Sequence, residues 1–74
     1  MNESLLAEWN ELQTTNVPWG NTPLLISKTA KEIQILEGLK NEGERTAPNG
    51  LPIDSQIESR QDVLRKIWEA SRND

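Results

Sequence analysis

Residues 22–43 read TPLLISKTAKEIQILEGLKNEG, and this stretch dictates what the rest of the chain must do. At 100° per residue its apolar side chains do not gather into a narrow stripe. Ile26, Ala30, Ile33 and Leu36 form one face. Leu24, Leu25, Ile35 and Leu39 carry that face round to roughly two-thirds of the helix circumference. The polar remainder (Ser27, Lys31, Gln34, Gly38 and Asn41) is narrow. A helix this apolar has to be covered on more than one side. With 74 residues in all, part of that cover is expected from another molecule.

Two starts compete for this helix. Thr22 followed by Pro23 reads as a cap with proline at the first helical position. Thr29-Ala30-Lys31-Glu32 reads as a capping box, which would leave residues 24–26 extended. The first is favoured, because Leu25 and Ile26 continue the same helical face. Gly38 costs a helix about 1 kcal/mol relative to Ala, and it marks close approach of another helix. Gly43, after Lys40 and Asn41, is the expected stop.

Working outward, the N-terminal segment reads as a short helix over about residues 3–13, with Asn2 or Ser4 as its cap. Leu5, Trp9 and Leu12 recur at i, i+4 and i+7, so this helix docks through Trp9. Residues 14–22 form a loop, in which Pro18 turns Val17 away from helical geometry and Gly20 follows as a turn residue. Trp19 either folds back over the first helix or stands out as an aromatic anchor for a partner.

After the central helix, residues 43–55 hold Pro48-Asn49-Gly50 and Leu51-Pro52, a strong turn signal without strand alternation on either flank. A passive connector is the expectation. The last helix spans about residues 56–71, opening with a capping box at Ser55-Gln56-Ile57-Glu58. Ile53, Ile57, Leu64, Ile67 and Trp68 share one face, widened by Val63 and Ala70. Arg60 is the misfit in that face. It either snorkels out, meets a carboxylate across the bundle, or grips an acidic group on a partner.

Composition narrows the function classes. There is no His and no Cys, so Ser–His and Cys–His nucleophiles and disulfides are excluded, and a zinc site has lost its two commonest ligands. The four glycines are isolated, with no phosphate loop or dinucleotide fingerprint. Glu8 with Glu11, or Glu58 with Asp62, share helix faces but lack the Glu-x-x-His partner of carboxylate metal bundles. The chain is therefore read as non-catalytic, with no cofactor and no metal. Net charge is −4, from twelve acids and eight bases. Residues 1–27 carry Glu3, Glu8 and Glu11 and no base, and nowhere do Lys and Arg cluster as phosphate contacts require. No nucleic-acid partner is expected. No run reaches the ~20 apolar residues of a membrane span, and no signal peptide is evident, so a cytoplasmic setting is expected.

The fold expected from all this is all-α. A central and a C-terminal helix pair as an antiparallel hairpin, and the short N-terminal helix packs on through Trp9. Self-association is expected to complete the arrangement, most simply as a homodimer seamed by Leu25, Ile26, Ile33, Leu36 and Leu39. The expected function is a small acidic protein-binding module, an inhibitor or adaptor of a larger protein, of the kind phage and mobile elements encode. Its partner-binding residues would be Trp9, Trp19, Arg60, Glu8 and Glu11. The alternative is a structural subunit that assembles through the central helix.

Overall fold

A computed structural model of the chain describes the backbone of residues 3–18 and 20–72 and the side chains among them up to Ala70. Three helices account for most of it: α1 (Glu3–Thr14), α2 (Thr22–Asn41) and α3 (Ile53–Arg72). The fold is all-α, as the periodicity predicts.

Local chemistry sets most of the boundaries. Helix α1 ends where Thr14 and Thr15 both turn their hydroxyls onto the Glu11 carbonyl, at 2.8 and 3.0 Å, competing with the backbone for it. Helix α2 begins near the favoured start, but its cap is Asn21, not Thr22. The Asn21 Oδ1 accepts from the Leu24 amide at 3.1 Å, which puts Pro23 one place further in. The competing box at Thr29 does not form. Thr29 lies mid-helix and donates its hydroxyl to the Leu25 carbonyl at 2.8 Å. The stop at Gly43 is as expected. With φ at +94°, Gly43 closes a double turn in which its amide donates to Lys40 O and the Glu44 amide to Leu39 O, both at 3.0 Å.

The connection after α2 is more than a spacer. Its backbone folds on itself through Ala47 N to Leu51 O (2.7 Å) and Gly50 N to Ala47 O (2.9 Å), with Asn49 Oδ1 taking the Leu51 amide. A single antiparallel bridge links Thr46 and Pro52. Ala47 is thereby pushed into the core. The same loop explains why α3 starts at Ile53, three residues before the expected start at residue 56. Arg45 O takes the Ile53 amide at 2.9 Å, and the Gln56 amide already donates to Pro52 O. Burial of Ile53 and a satisfied first donor outweigh the local box.

The core is Trp9, Ile35, Leu36, Leu39, Ala47 and Ile53, with Leu5, Leu12 and Ile57 packed around it. Helix α2 is the spine. Contacts of Leu5 with Gly38 and of Gln13 with Glu32 show α1 running antiparallel to it on one flank. Lys40 with Asp54, and Glu32 with Arg60, show α3 antiparallel on the next. A Cβ placed on Gly38 would lie 3.0 Å from Leu5 Cδ1, so this glycine does mark where another helix comes close.

These contacts correct the expected dimer seam. Ile33, Leu36 and Leu39 are buried within the single chain, because α1 and α3 together cover most of the wide apolar arc. Leu25 and Ile26 remain exposed. Among the described residues no helix is long and apolar enough to cross a membrane.

Candidate functional site

Two regions stand out: a charged brace at the centre of the bundle, and an apolar end that the chain leaves bare.

The brace grows from two opposite charges on two apolar faces. Glu32 lies in the Thr29–Ile33–Leu36 face of α2, and Arg60 in the Ile57–Leu64 face of α3. Their side chains are only 10% and 18% exposed, and Arg60 Nη2 stands 3.5 Å from Glu32 Oε2. The same oxygen accepts from Gln13 Nε2 of α1 at 2.8 Å. Arg60 Nη1 donates to Gln56 Oε1 at 2.5 Å, and Gln56 Oε1 also accepts from Asn49 Nδ2 at 3.2 Å. The guanidinium lies over the Trp9 ring, 5.2 Å from its centroid, in cation–π geometry. One connected set of contacts thus ties α1, α2, α3 and the 42–52 loop. Arg60 Nε is buried without a hydrogen-bond partner among the described residues.

This geometry revises two expected partner contacts. Trp9 is 3% exposed and belongs to the core, because Arg60 and Ile35 close over it. Arg60 meets a carboxylate across the bundle, as one of its readings anticipated, and is committed internally. Trp19 lies outside the described residues. Glu8 and Glu11 are exposed along α1. Glu32 is the residue the periodicity reading overlooked. Its signal was present: a lone acid inside the apolar face of α2 answers the lone base inside that of α3.

The brace holds its carboxylate and guanidinium against each other inside the bundle. A carboxylate held by an amide and a guanidinium has neither a nucleophile nor a base beside it. Among the described residues no three acidic side chains converge on a metal position. A hollow of about 690 Å³ is an open dish on the solvent side of α3, lined by Ser55, Glu58, Ser59, Gln61, Asp62 and Arg65. Asp62 there is shared between Arg65 and Lys66, and the Lys66 hydrogen bond holds its carboxyl below the usual carboxylate range.

The bare end is the other region. Leu25, Ile26, Val63 and Trp68 are exposed large apolar side chains, Trp68 at 59%. The antiparallel pairing of Lys40 with Asp54 and of Glu32 with Arg60 brings residues 25–26 level with residues 66–68. Leu25, Ile26 and Trp68 therefore sit at the end of the hairpin away from the 42–52 loop, and Val63 lies midway along α3. Leu51, in that loop, is the remaining exposed one.

Fold and surface together define a small all-α protein with a braced core and one apolar end. No protein-family model, curated protein or solved structure matches the chain.

Proposed function

We propose that this chain is a non-catalytic protein-binding module, an inhibitor or adaptor that acts by occupying a site on a larger protein in the cytoplasm. The observation supporting this reading is the apolar end, where Leu25, Ile26 and Trp68 are exposed at one level of the hairpin. Grouped exposed apolar side chains on a small protein mark interaction surfaces more often than isolated ones do. A Trp among them is the residue type most enriched in binding hot spots. The exposed acids Glu3, Glu8 and Glu11 on α1 supply long-range attraction to a basic target surface.

Leu25 and Ile26 also support the second reading, a homo-oligomeric assembly subunit, since both belong to the expected self-association seam and both remain exposed. Chemical cross-linking in a host lysate, followed by mass spectrometry of the recovered chain, separates the two. A stoichiometric larger protein cross-linked near Lys28, Lys31 or Lys66, and lost on Leu25→Ser with Trp68→Ser, is the expected result. Recovery of the chain cross-linked only to itself, with a multiple of its 8.4 kDa mass in light scattering, replaces the module with the assembly subunit.

A further inference from the structure

We infer that Asn49 is a self-modification site: attack by the Gly50 amide nitrogen converts it to aspartate or isoaspartate, the folded loop holds that reaction back, and its completion cuts the loop's tie to Arg60. The site lies at the opposite end of the hairpin from Leu25, Ile26 and Trp68, and it stands whether or not the chain binds a client.

The chemistry begins with the neighbour. Of the seven asparagines, Asn49 alone is followed by glycine. Cyclisation requires the next backbone nitrogen to reach the side-chain carbonyl carbon, and a following side chain obstructs that approach. Glycine has none. Asn49 and Gly50 are both exposed, and no atom lies within 4 Å of where a Cβ on Gly50 would stand. In the step itself Gly50 N loses its proton and bonds to Asn49 Cγ. The Cγ–Nδ2 bond breaks, the proton passes through water to the departing nitrogen, and ammonia leaves. Water then opens the cyclic succinimide at either carbonyl, which gives aspartate or a backbone rerouted through the side chain. Water is the only co-reactant.

The folded loop opposes each requirement. The Gly50 amide donates to Ala47 O at 2.9 Å, so the attacking nitrogen keeps its proton. The Asn49 side chain is held at both ends, with Oδ1 accepting from the Leu51 amide at 3.1 Å and Nδ2 donating to Gln56 Oε1 at 3.2 Å. Conversion therefore proceeds from openings in which residues 47–51 let go of these bonds.

The product cannot restore the tie. Gln56 Oε1 sits between two donors, Asn49 Nδ2 and Arg60 Nη1. A carboxylate in place of the amide only accepts, so it faces Gln56 Oε1 acceptor to acceptor. If Gln56 turns its amide round to donate to the new carboxylate, Arg60 loses its 2.5 Å bond and keeps the 3.4 Å contact with the Gln56 carbonyl. Either the loop or the guanidinium is released. Because Arg60 also lies over Trp9 and beside Glu32, the release reaches α1 and α2.

The test incubates the full chain, folded and unfolded in urea, at mildly alkaline pH in water carrying heavy oxygen. Mass spectrometry follows the peptide that spans Asn49, with isoaspartate separated by chromatography. Conversion is expected at Asn49 before any other asparagine, with heavy oxygen incorporated, and about tenfold or more slower in the folded chain than in the unfolded one. Gln56→Ala is expected to speed conversion in the folded chain. Asn49→Asp supplies one product directly, so the tie is tested even if Gln56→Ala does not fold. It is expected to melt below the native chain, and Arg60→Met should cost less in it than in the native background. Equal rates in folded and unfolded chain, a folded chain that never converts, or conversion first at another asparagine overturns the inference. So does an Asn49→Asp chain that melts with the native one. Loss of a client without any change at Asn49 removes the binding-module reading and leaves this site in place.

Discussion

Arg60 of α3 holds its guanidinium 5.2 Å from the centre of the Trp9 ring of α1, joining two helices whose backbones each pack on α2 and not on each other. Trp9 contributes the one buried side chain of α1, and Arg60 lies over it from the α3 side. Trp9→Ala is expected to cost about 3–5 kcal/mol. A domain of this size rarely has more than about that in total. The variant should lose its cooperative thermal transition by circular dichroism, while Trp9→Phe keeps a weakened one.

The Glu32–Arg60 ion pair over that ring is predicted to be coupled. Arg60→Met leaves Glu32 with Gln13 alone and should cost about 1–3 kcal/mol. Glu32→Gln keeps a hydrogen-bonding group for Gln13 and should cost less. A double-mutant cycle from urea denaturation is expected to return a favourable coupling of about 1 kcal/mol or more. A coupling indistinguishable from zero would mean that Glu32 and Arg60 act independently.

At Gly38 two terms oppose one another. Alanine gains about 1 kcal/mol in helix propensity, but its Cβ falls 3.0 Å from Leu5 Cδ1. Gly38→Ala is therefore expected to be close to neutral in the native chain. In a Leu5→Ala background the obstruction is gone, and the same change should stabilise by about 1 kcal/mol. Gly38→Val overcrowds the crossing and should cost about 1–3 kcal/mol, with a red shift of Trp9 fluorescence as α1 lifts.

Two neighbouring residues of cap-forming type are expected to behave differently. Asn21→Ala removes the acceptor of the Leu24 amide and should cost about 1 kcal/mol. Asn21→Asp or Asn21→Ser should keep most of it. Thr22→Ala, one residue on and exposed, should stay within about 0.5 kcal/mol of the native chain. Melting temperatures measured side by side decide between the two caps.

Two exposed pairs give the chain its pH arms. The hydrogen bond from Lys66, followed by that from Arg65, lowers the Asp62 pKa. Its contribution to stability is present above the unfolded carboxyl value of 3.8 and is lost as pH falls through the folded value. The hydrogen bond to Asp54 raises the Lys40 pKa above 10.5. That contribution is complete below 10.5 and is lost as pH rises through the folded value. Thermal melts of Asp62→Asn should show a shallower acid limb, and those of Lys40→Met a shallower alkaline one.

How much was legible in the sequence follows from which residues carry local information. Helix periodicity fixed three helices, the docking of α1 through Trp9, the stop at Gly43 and the crossing at Gly38, because each shows within one or two turns. Arg60 was conspicuous as a base in an apolar face, and its meeting a carboxylate was among the readings. The cap of α2 was misplaced by one residue, because Asn and Thr cap comparably and proline is tolerated at either of the next two positions. The start of α3 was misplaced by three residues. Ile53 enters the core and takes its partner from Arg45, a long-range bond with no local signature. Ala47 was missed for the same reason. The expected dimer seam counted Ile33, Leu36 and Leu39 as bare, and only the simultaneous placement of α1 and α3 reveals that they are enclosed.

The unequal lengths of the helices also set an order of events in time. Helix α1 is anchored by a single buried indole, whereas α2 and α3 share a linker stitched by its own backbone bonds. Amide exchange should accordingly be fastest in α1, through excursions in which it peels away while the hairpin persists. Each such excursion uncovers the Trp9 indole and the flank of α2 around Gly38 against which α1 packs.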